Sequence, residues 1–277
     1  MSSYTLGFIS IFYLGFLFLL ATIAEWRGSR KKSLINNPYV YSLSLAIYCT
    51  GWTYYGSVGR VTTNGLDFLA VYLGPTIMMF FGWGILRKII RICKIQRITS
   101  IADFISTRYG KSSSLGVLVT LVSLLAGVPY IGLQIKAIAS SFSILTNKTQ
   151  HSLGLFNDQA FYIVIILMIF TILFGTRKIE ADEKHEGMVF SIATESLVKL
   201  IGFLAVGIYV VFTLFNGFDD IVLQVPTQEI VKIFSIQKGV GYNNWFWHIL
   251  LSAGAFLLLP RQFQVGVIEN NNEKHLA

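Results

Sequence analysis

Long apolar stretches dominate the chain, and they are long enough to cross a lipid bilayer. A bilayer presents about 30 Å of hydrocarbon, which an α-helix of roughly 20 residues can span. Only 13% of the 277 residues are charged, whereas a soluble domain carries about a quarter. We therefore predict an all-α integral membrane protein with about seven transmembrane helices. The predicted spans are Tyr4–Ala24, Tyr39–Val58, Leu66–Leu86, Leu115–Leu145, Gln159–Gly175, Met188–Phe215 and Asn244–Pro260.

The basic residues between these spans predict the orientation in the membrane. Lysine and arginine accumulate in cytoplasmic loops. On one side of the seven predicted spans lie 16 basic residues, from Arg27 to Lys274, and only four lie on the other side. Those four are Arg60, Lys148, Lys232 and Lys238. The asymmetry predicts an external N-terminus and a cytoplasmic C-terminus, and it explains the net charge of +8 without a nucleic-acid partner.

The second predicted span is too polar and too rich in glycine for a helix that faces lipid. Its centre, Tyr48–Trp52, contains Thr50 and Gly51. Irregular backbone at membrane depth is tolerated only where it lines a cavity or is buried in protein. Transporters use such breaks to bind ions and solutes, which makes Thr50, Gly51 and Trp52 candidate solute-binding residues. Close helix packing through small residues explains the same pattern and remains open.

Glu195, Lys199 and Lys136 are ionisable residues that fall inside predicted spans. Glu195 and Lys199 are four residues apart, so they lie on one face of a helix in the favoured acid-first order. A charged side chain in the middle of a membrane costs roughly 2.5–3.5 kcal/mol on insertion scales, which favours a functional role. A structural ion pair is the equally weighted alternative for Glu195 and Lys199. For Lys136 we favour the interpretation that its side chain extends along the helix and places the amine at the outer membrane–water interface.

No pattern in the sequence predicts catalysis. The four histidines, at positions 151, 185, 248 and 275, lie in separate segments without metal-ligand spacing. The two cysteines, Cys49 and Cys93, are too few for a disulfide framework and are predicted to be free thiols. We expect no enzymatic activity, no catalytic residue and no organic cofactor.

Five segments resemble known membrane proteins. Ser42–Gly56 looks like the first core helix of the sodium:solute symporter family, and Ile98–Gly110 is similar to the segment that leads into the next core helix. Phe174–Gly187, Glu195–Lys199 and Leu259–Phe263 resemble one branch of that family more closely. That branch is the symporter-like N-terminal domain of bacterial sensor histidine kinases.

The resemblance implies a LeuT-type fold, which is an inverted repeat of five plus five helices. Residues 4–24 would be an extra N-terminal helix, residues 39–215 the first repeat, and residues 244–260 the first helix of an incomplete second repeat. All of it would form a single transmembrane domain. We expect a truncated form that lacks the kinase catalytic region, with a second chain as a possible source of the missing helices.

The resemblance also implies an ion site. In the family, backbone carbonyls of the broken first core helix hold a sodium ion, and the matching carbonyls here are those of Ala46 and Cys49, with Thr50 adjacent. Proline-type carriers have an acidic residue where this chain has Tyr48, which weakens the expectation of sodium dependence. Glu195 matches a position that is acidic in many members.

These features predict a symporter-like domain for transmembrane transport or sensing of an amino acid or a similar small polar solute. The resemblance places it in a bacterial inner membrane. Two alternatives remain open: a membrane remnant that transports nothing, or the sensory input fragment of a split sensor histidine kinase.

Overall fold

All regular elements are helical in the part of the chain that the computed structural model describes, namely residues 2–30, 32–147, 159–170, 185–234, 241–270 and 272–276. The α-helices are α1 (Ser3–Ser29), α2 (Pro38–Leu45), α3 (Gly51–Asn64), α4 (Leu69–Phe81), α5 (Trp83–Gln96), α6 (Ile101–Arg108), α7 (Ser113–Thr146), α8 (Gln159–Phe170), α9 (Glu186–Tyr209), α10 (Phe218–Gln224), α11 (Thr227–Phe234), α12 (Gly241–Leu258) and α13 (Pro260–Phe263). Short 3-10 turns cover Ala46–Tyr48, Gly65–Phe68 and Glu273–Leu276, and π-turns extend α9 through Val210–Leu214 and α13 through Gln264–Ile268.

Four helical runs within these described ranges are long and apolar enough to cross a membrane. They are Tyr4–Ser29, Gly51–Phe81, Ser113–Thr146 and Glu186–Leu214. A fifth arises if Gly241–Leu258 and Pro260–Ile268, which meet at a bend of 51°, count as one span. The molecule is therefore a helical protein of the multi-pass membrane type. Within the described ranges the helices support four or five spans, and the count of seven stays a prediction.

Two of the predicted spans explain why the described ranges contain fewer spanning helices than the sequence predicts. The predicted span Tyr39–Val58 is interrupted between α2, of eight residues, and α3, of 14 residues, and neither helix alone is long enough to cross a bilayer. The α3 helix instead runs on into α4 through the turn at Gly65, where φ is +60°. The predicted span Gln159–Gly175 is described only to Phe170, and residues 171–175 lie outside the described ranges.

Helix α4 contacts α12 closely because Gly74 lies at their crossing. A β-carbon at position 74 would lie 2.5 Å from the backbone nitrogen of Ala253 and would overlap the Ser252 hydroxyl. That hydroxyl donates a 2.9 Å hydrogen bond to the carbonyl oxygen of Ala70. The small residue and the hydroxyl therefore hold α4 and α12 together, as expected for helices that associate in a membrane.

Helix α1 lies along α9 in the same way. A β-carbon on Gly187 would lie 2.6 Å from the carbonyl oxygen of Ala21. One turn further along α9, the Ser191 hydroxyl donates a 3.1 Å hydrogen bond to the carbonyl oxygen of Leu17. These contacts fix the first half of α9, and the next turn of that helix carries Glu195.

Helix α13 is attached to α2 by two hydrogen bonds. The buried Gln262 side chain donates to the carbonyl oxygen of Leu45 at 3.1 Å. The buried Tyr41 hydroxyl donates to the carbonyl oxygen of Gly266 at 2.7 Å. Arg261, adjacent to Gln262, is therefore held close to the end of α2, where the second predicted span is interrupted.

The basic helix α5 carries the main apolar cluster on its other face. Its buried residues Ile90 and Cys93 contact Phe263 and Val267 from the C-terminal segment. On the exposed side, the carboxylate of Glu273 accepts hydrogen bonds from Arg91. The C-terminal segment is therefore packed on a helix that the charge pattern predicts to be cytoplasmic.

Candidate solute and ion site at a helix break

The backbone between α2 and α3 is extended for two residues. Cys49 has ψ 112°, and Thr50 has φ −123° and ψ −173°. The Cys49 amide donates to the carbonyl oxygen of Ala46 at 2.9 Å, which closes the 3-10 turn. The Thr53 amide donates to the carbonyl oxygen of Thr50 at 2.9 Å. In a continuous helix that amide would pair with Cys49, so the Cys49 carbonyl loses its helical partner.

A glutamine from α7 caps the start of α3. The Gly51 amide donates to the side-chain carbonyl oxygen Oε1 of Gln134 at 3.1 Å. A β-carbon on residue 51 would lie 3.1 Å from the same oxygen and 3.3 Å from Ala137. Gly51 therefore allows α7 to approach the break closely, and Gln134 satisfies one of the four amides that every helix start leaves without a partner.

The acid–base pair predicted on one helix face is formed. The Lys199 ammonium lies 2.6 Å from Oε1 of Glu195, and both side chains are partly exposed. The same ammonium donates a 3.3 Å hydrogen bond to the carbonyl oxygen of Cys49, across to the break. Tyr54 on α3 donates a 2.8 Å hydrogen bond to the backbone carbonyl of Lys199. The pair on α9 is thus joined to the broken helix by two contacts.

A cavity of about 480 Å³ lies where the break, α7, α9 and α13 meet. Its lining includes two cations, Lys199 and Arg261, and one carboxylate, Glu195. The remaining lining residues are Ile47, Thr50, Gly51, Tyr55, Gln134, Ala137, Ile138, Ser141 and Ile192. A volume of this order suits a small organic molecule, and the excess positive charge favours one that carries an anionic group.

The residues proposed from the sequence divide into three groups. Thr50, Gly51, Glu195 and Lys199 line the cavity. The carbonyl oxygens of Ala46 and Cys49 lie at the break, where they accept the hydrogen bonds described above. The Trp52 indole lies against Gly56, further along α3.

Sequence reasoning missed the contributions of α7 and α13. Gln134 and Ser141 are seven residues apart, which places both on one face of a helix, and this polar spacing within an apolar run could have indicated them. Ser141 and Tyr55 share a 2.6 Å hydrogen bond. Arg261 contacts the Tyr130 hydroxyl, with its guanidinium carbon 4.4 Å from the ring centre. Nothing in the local sequence indicates that Arg261 reaches the cavity.

The residues at the break do not fit the sodium ion that the family resemblance implies. A hard cation is held by several oxygen ligands. Of the two expected carbonyls, that of Ala46 closes a 3-10 turn, and that of Cys49 already accepts from the positively charged Lys199 ammonium. A second cation at the Cys49 oxygen would be repelled by that ammonium at a few ångströms.

Comparisons with known proteins give one weak similarity. The chain is 20% identical over 234 residues to "Uncharacterized symporter YhjB" of Bacillus subtilis (strain 168), and the match covers 84% of this chain. It covers 45% of that protein, so the chain spans less than half the length of the curated relative it matches. No protein-family model matches the chain, and no solved structure matches it.

Fold and similarity together define a coarse class. Several long apolar helices and a symporter-like relative support a transporter-like, multi-pass membrane protein in a lipid bilayer. The similarity gives no support to the branch of sensor histidine kinases.

Proposed function

We propose that this chain is a symporter-like membrane domain that binds a small polar solute, such as an amino acid, in the cavity at the helix break and carries it across the membrane. The observation that carries the proposal is the interruption at Cys49 and Thr50, which opens onto a cavity lined by Glu195, Lys199 and Arg261. Intramembrane backbone that leaves its helix, and intramembrane charges, both mark solute pathways.

Each wall of the cavity has a part in solute binding. Arg261 offers a planar guanidinium that suits a carboxylate, while Glu195 and Lys199 largely neutralise each other. Gln134, Ser141 and Tyr55 supply hydroxyl and amide groups for a polar solute. A relative movement of the helices that line the cavity would then expose it to each side of the membrane in turn.

The proposal includes the arrangement implied by the family resemblance. The described helices would belong to a LeuT-type fold with its first five-helix repeat between residues 39 and 215. The charge pattern supports an external N-terminus and a cytoplasmic C-terminus, in a bacterial inner membrane. A second chain that covers the remaining helix faces is compatible with this arrangement.

Uptake by the purified chain tests the proposal. Proteoliposomes are given a mixture of radiolabelled amino acids, and accumulation is compared between the unmodified chain and Glu195→Gln. We expect uptake that falls at least tenfold in the variant, while Asp219→Asn, on the exposed surface of α10, transports normally. Absence of uptake, together with absence of solute binding in equilibrium dialysis, would favour the non-transporting remnant.

A further inference from the structure

We infer that the Lys199 ammonium is a tethered cation that takes the place of an exchangeable metal cation at the helix break. The inference concerns the proposed solute site, and its consequence for transport rests on the proposed function. The consequence is that solute movement through this cavity does not depend on sodium at the Cys49 carbonyl.

The ammonium has the surroundings of a bound monovalent cation. Two oxygens from distant parts of the chain face it, namely Oε1 of Glu195 on α9 at 2.6 Å and the carbonyl oxygen of Cys49 in the break at 3.3 Å. One oxygen is anionic and the other belongs to backbone that has left its helix. A carboxylate and an unpaired carbonyl are the ligand types that hard cations select, and here a side chain of the protein supplies the positive charge.

An ordinary ion pair on a helix surface does not explain this contact. Such a pair forms between residues of one helix and contributes little. Lys199 reaches beyond its own helix to a carbonyl 150 residues earlier in the chain. That carbonyl lost its helical partner when the Thr53 amide paired with Thr50, and an unsatisfied carbonyl at membrane depth costs several kcal/mol.

The lysine is held in position from its backbone as well. Tyr54 donates to the Lys199 carbonyl oxygen at 2.8 Å, and its ring meets that of Phe203 edge to face at 5.8 Å. Phe203 lies on α9, one turn after Lys199. Tyr54 therefore attaches the broken helix to α9 next to Lys199, which keeps the distance of the ammonium from Cys49 defined.

Removal of the lysine side chain leaves both oxygen ligands behind. In Lys199→Ala the carboxylate of Glu195 would face the Cys49 carbonyl without a positive charge between them. A sodium ion or a small alkylammonium ion can then enter and restore the balance. The thermal stability of Lys199→Ala should therefore depend on added cations, whereas that of the unmodified chain should not.

Thermal unfolding in detergent tests the inference without any solute. The unmodified chain, Lys199→Ala and the exposed control Lys136→Ala are melted in sodium chloride and in choline chloride at equal ionic strength. We expect Lys199→Ala alone to melt higher in sodium, by roughly 2–4 °C, and to be stabilised also by methylammonium. Equal stabilisation of the unmodified chain by sodium, or no response of Lys199→Ala to either cation, would overturn the inference.

A second variant covers the case in which Lys199→Ala does not fold. The double variant Glu195→Gln, Lys199→Met removes both charges. We expect it to fold and to melt at the same temperature in sodium chloride and in choline chloride. If this neutral pair gains the sodium response, the ammonium is not the replaced cation and the inference fails.

Uptake separates this inference from the proposed function. Accumulation of amino acids that is equal in sodium and in choline supports both. Accumulation that requires sodium, together with a sodium-dependent melting temperature of the unmodified chain, rejects the tethered cation and retains the transporter. The predicted melting pattern without any uptake supports the tethered cation and rejects the transport function.

Discussion

The imidazole of His185 lies 2.9 Å from the carboxylate of Glu269, although 84 residues separate them. The same carboxylate accepts from the His185 backbone amide at 3.2 Å and from the Gln264 side chain at 3.0 Å. Only 2% of the Glu269 side chain is exposed, whereas His185 is half exposed. Glu269 therefore fixes the start of α9, the helix that carries Glu195 and Lys199 to the cavity.

Replacement of Glu269 tests this attachment. Glu269→Gln retains the shape but leaves one acceptor oxygen where there were two, so at least one of the three donors loses its partner. We expect a loss of about 1–3 kcal/mol in the free energy of unfolding. Thermal unfolding measures it, and Asp219→Asn serves as the exposed control. An unchanged melting temperature would mean that Glu269 does not hold α9.

The crossing of α4 and α12 leaves no room for a side chain at position 74. Gly74→Ala must separate the helices because the added carbon would meet the backbone of Ala253 and Ile249 at 2.5 Å. We expect the free energy of unfolding to fall by about 1–3 kcal/mol, which is measured as a lower melting temperature in detergent. Gly132→Ala, on α7 where a β-carbon meets no atom within 4 Å, should leave the melting temperature unchanged or raise it. Equal effects of the two variants would contradict this packing.

The contact of Glu273 with α5 should depend on pH. Hydrogen bonds from Arg91 and the ion pair with Arg87, whose Nε lies 3.4 Å away, hold the pKa of Glu273 below its ordinary value. A carboxylate with a lowered pKa in the folded state stabilises fully above its unfolded pKa, and this contribution is lost as the pH falls through the folded value. The group is exposed, so the effect is small and decreases with added salt.

Melting temperatures of the unmodified chain and of Glu273→Gln, measured between pH 3 and pH 7, check the sign. We expect the unmodified chain to be slightly more stable at pH 7 and the difference to disappear towards pH 3. A difference that grows as the pH falls would show that the carboxylate is not stabilised by the two arginines.

The two cysteines should differ in reactivity. Burial, with a further contribution from nearby Asp103, raises the pKa of Cys93 to about 12. At pH 7 that leaves about one thiolate in 100,000, and the thiolate is the reactive form. Cys49 is partly exposed. We expect N-ethylmaleimide to label Cys93→Ala, which retains Cys49, within minutes, and to label Cys49→Ala only after denaturation.

Labelling of Cys93 at the same rate as Cys49 in the native protein would mean that the α5 cluster is open to solvent. The rate at Cys49 also reports on the break. Tyr54→Phe, which removes the hydrogen bond to the Lys199 carbonyl, should raise that rate because α9 is then less firmly attached to α3.

Local patterns in the sequence were sufficient for the parts of the site that belong to one helix. The spacing of Glu195 and Lys199 predicted their pairing because residues four apart share a helix face. The polar and glycine-rich stretch around Thr50 and Gly51 indicated irregular backbone at the position where the helix is interrupted. The sequence did not predict Arg261 and Gln134 as site residues because each lies on another helix. Their approach to the cavity depends on how α13 and α7 pack.

The sequence by itself determined that the chain is a helical membrane protein, because hydrophobicity and helical periodicity are properties of short segments. The tertiary structure decided that the predicted second span is interrupted, since an average of hydropathy does not detect a two-residue break at Cys49 and Thr50. It also decided what the Cys49 carbonyl binds. The family resemblance pointed to sodium, but the folded chain brings the Lys199 ammonium to that oxygen, and a contact across 150 residues depends on packing.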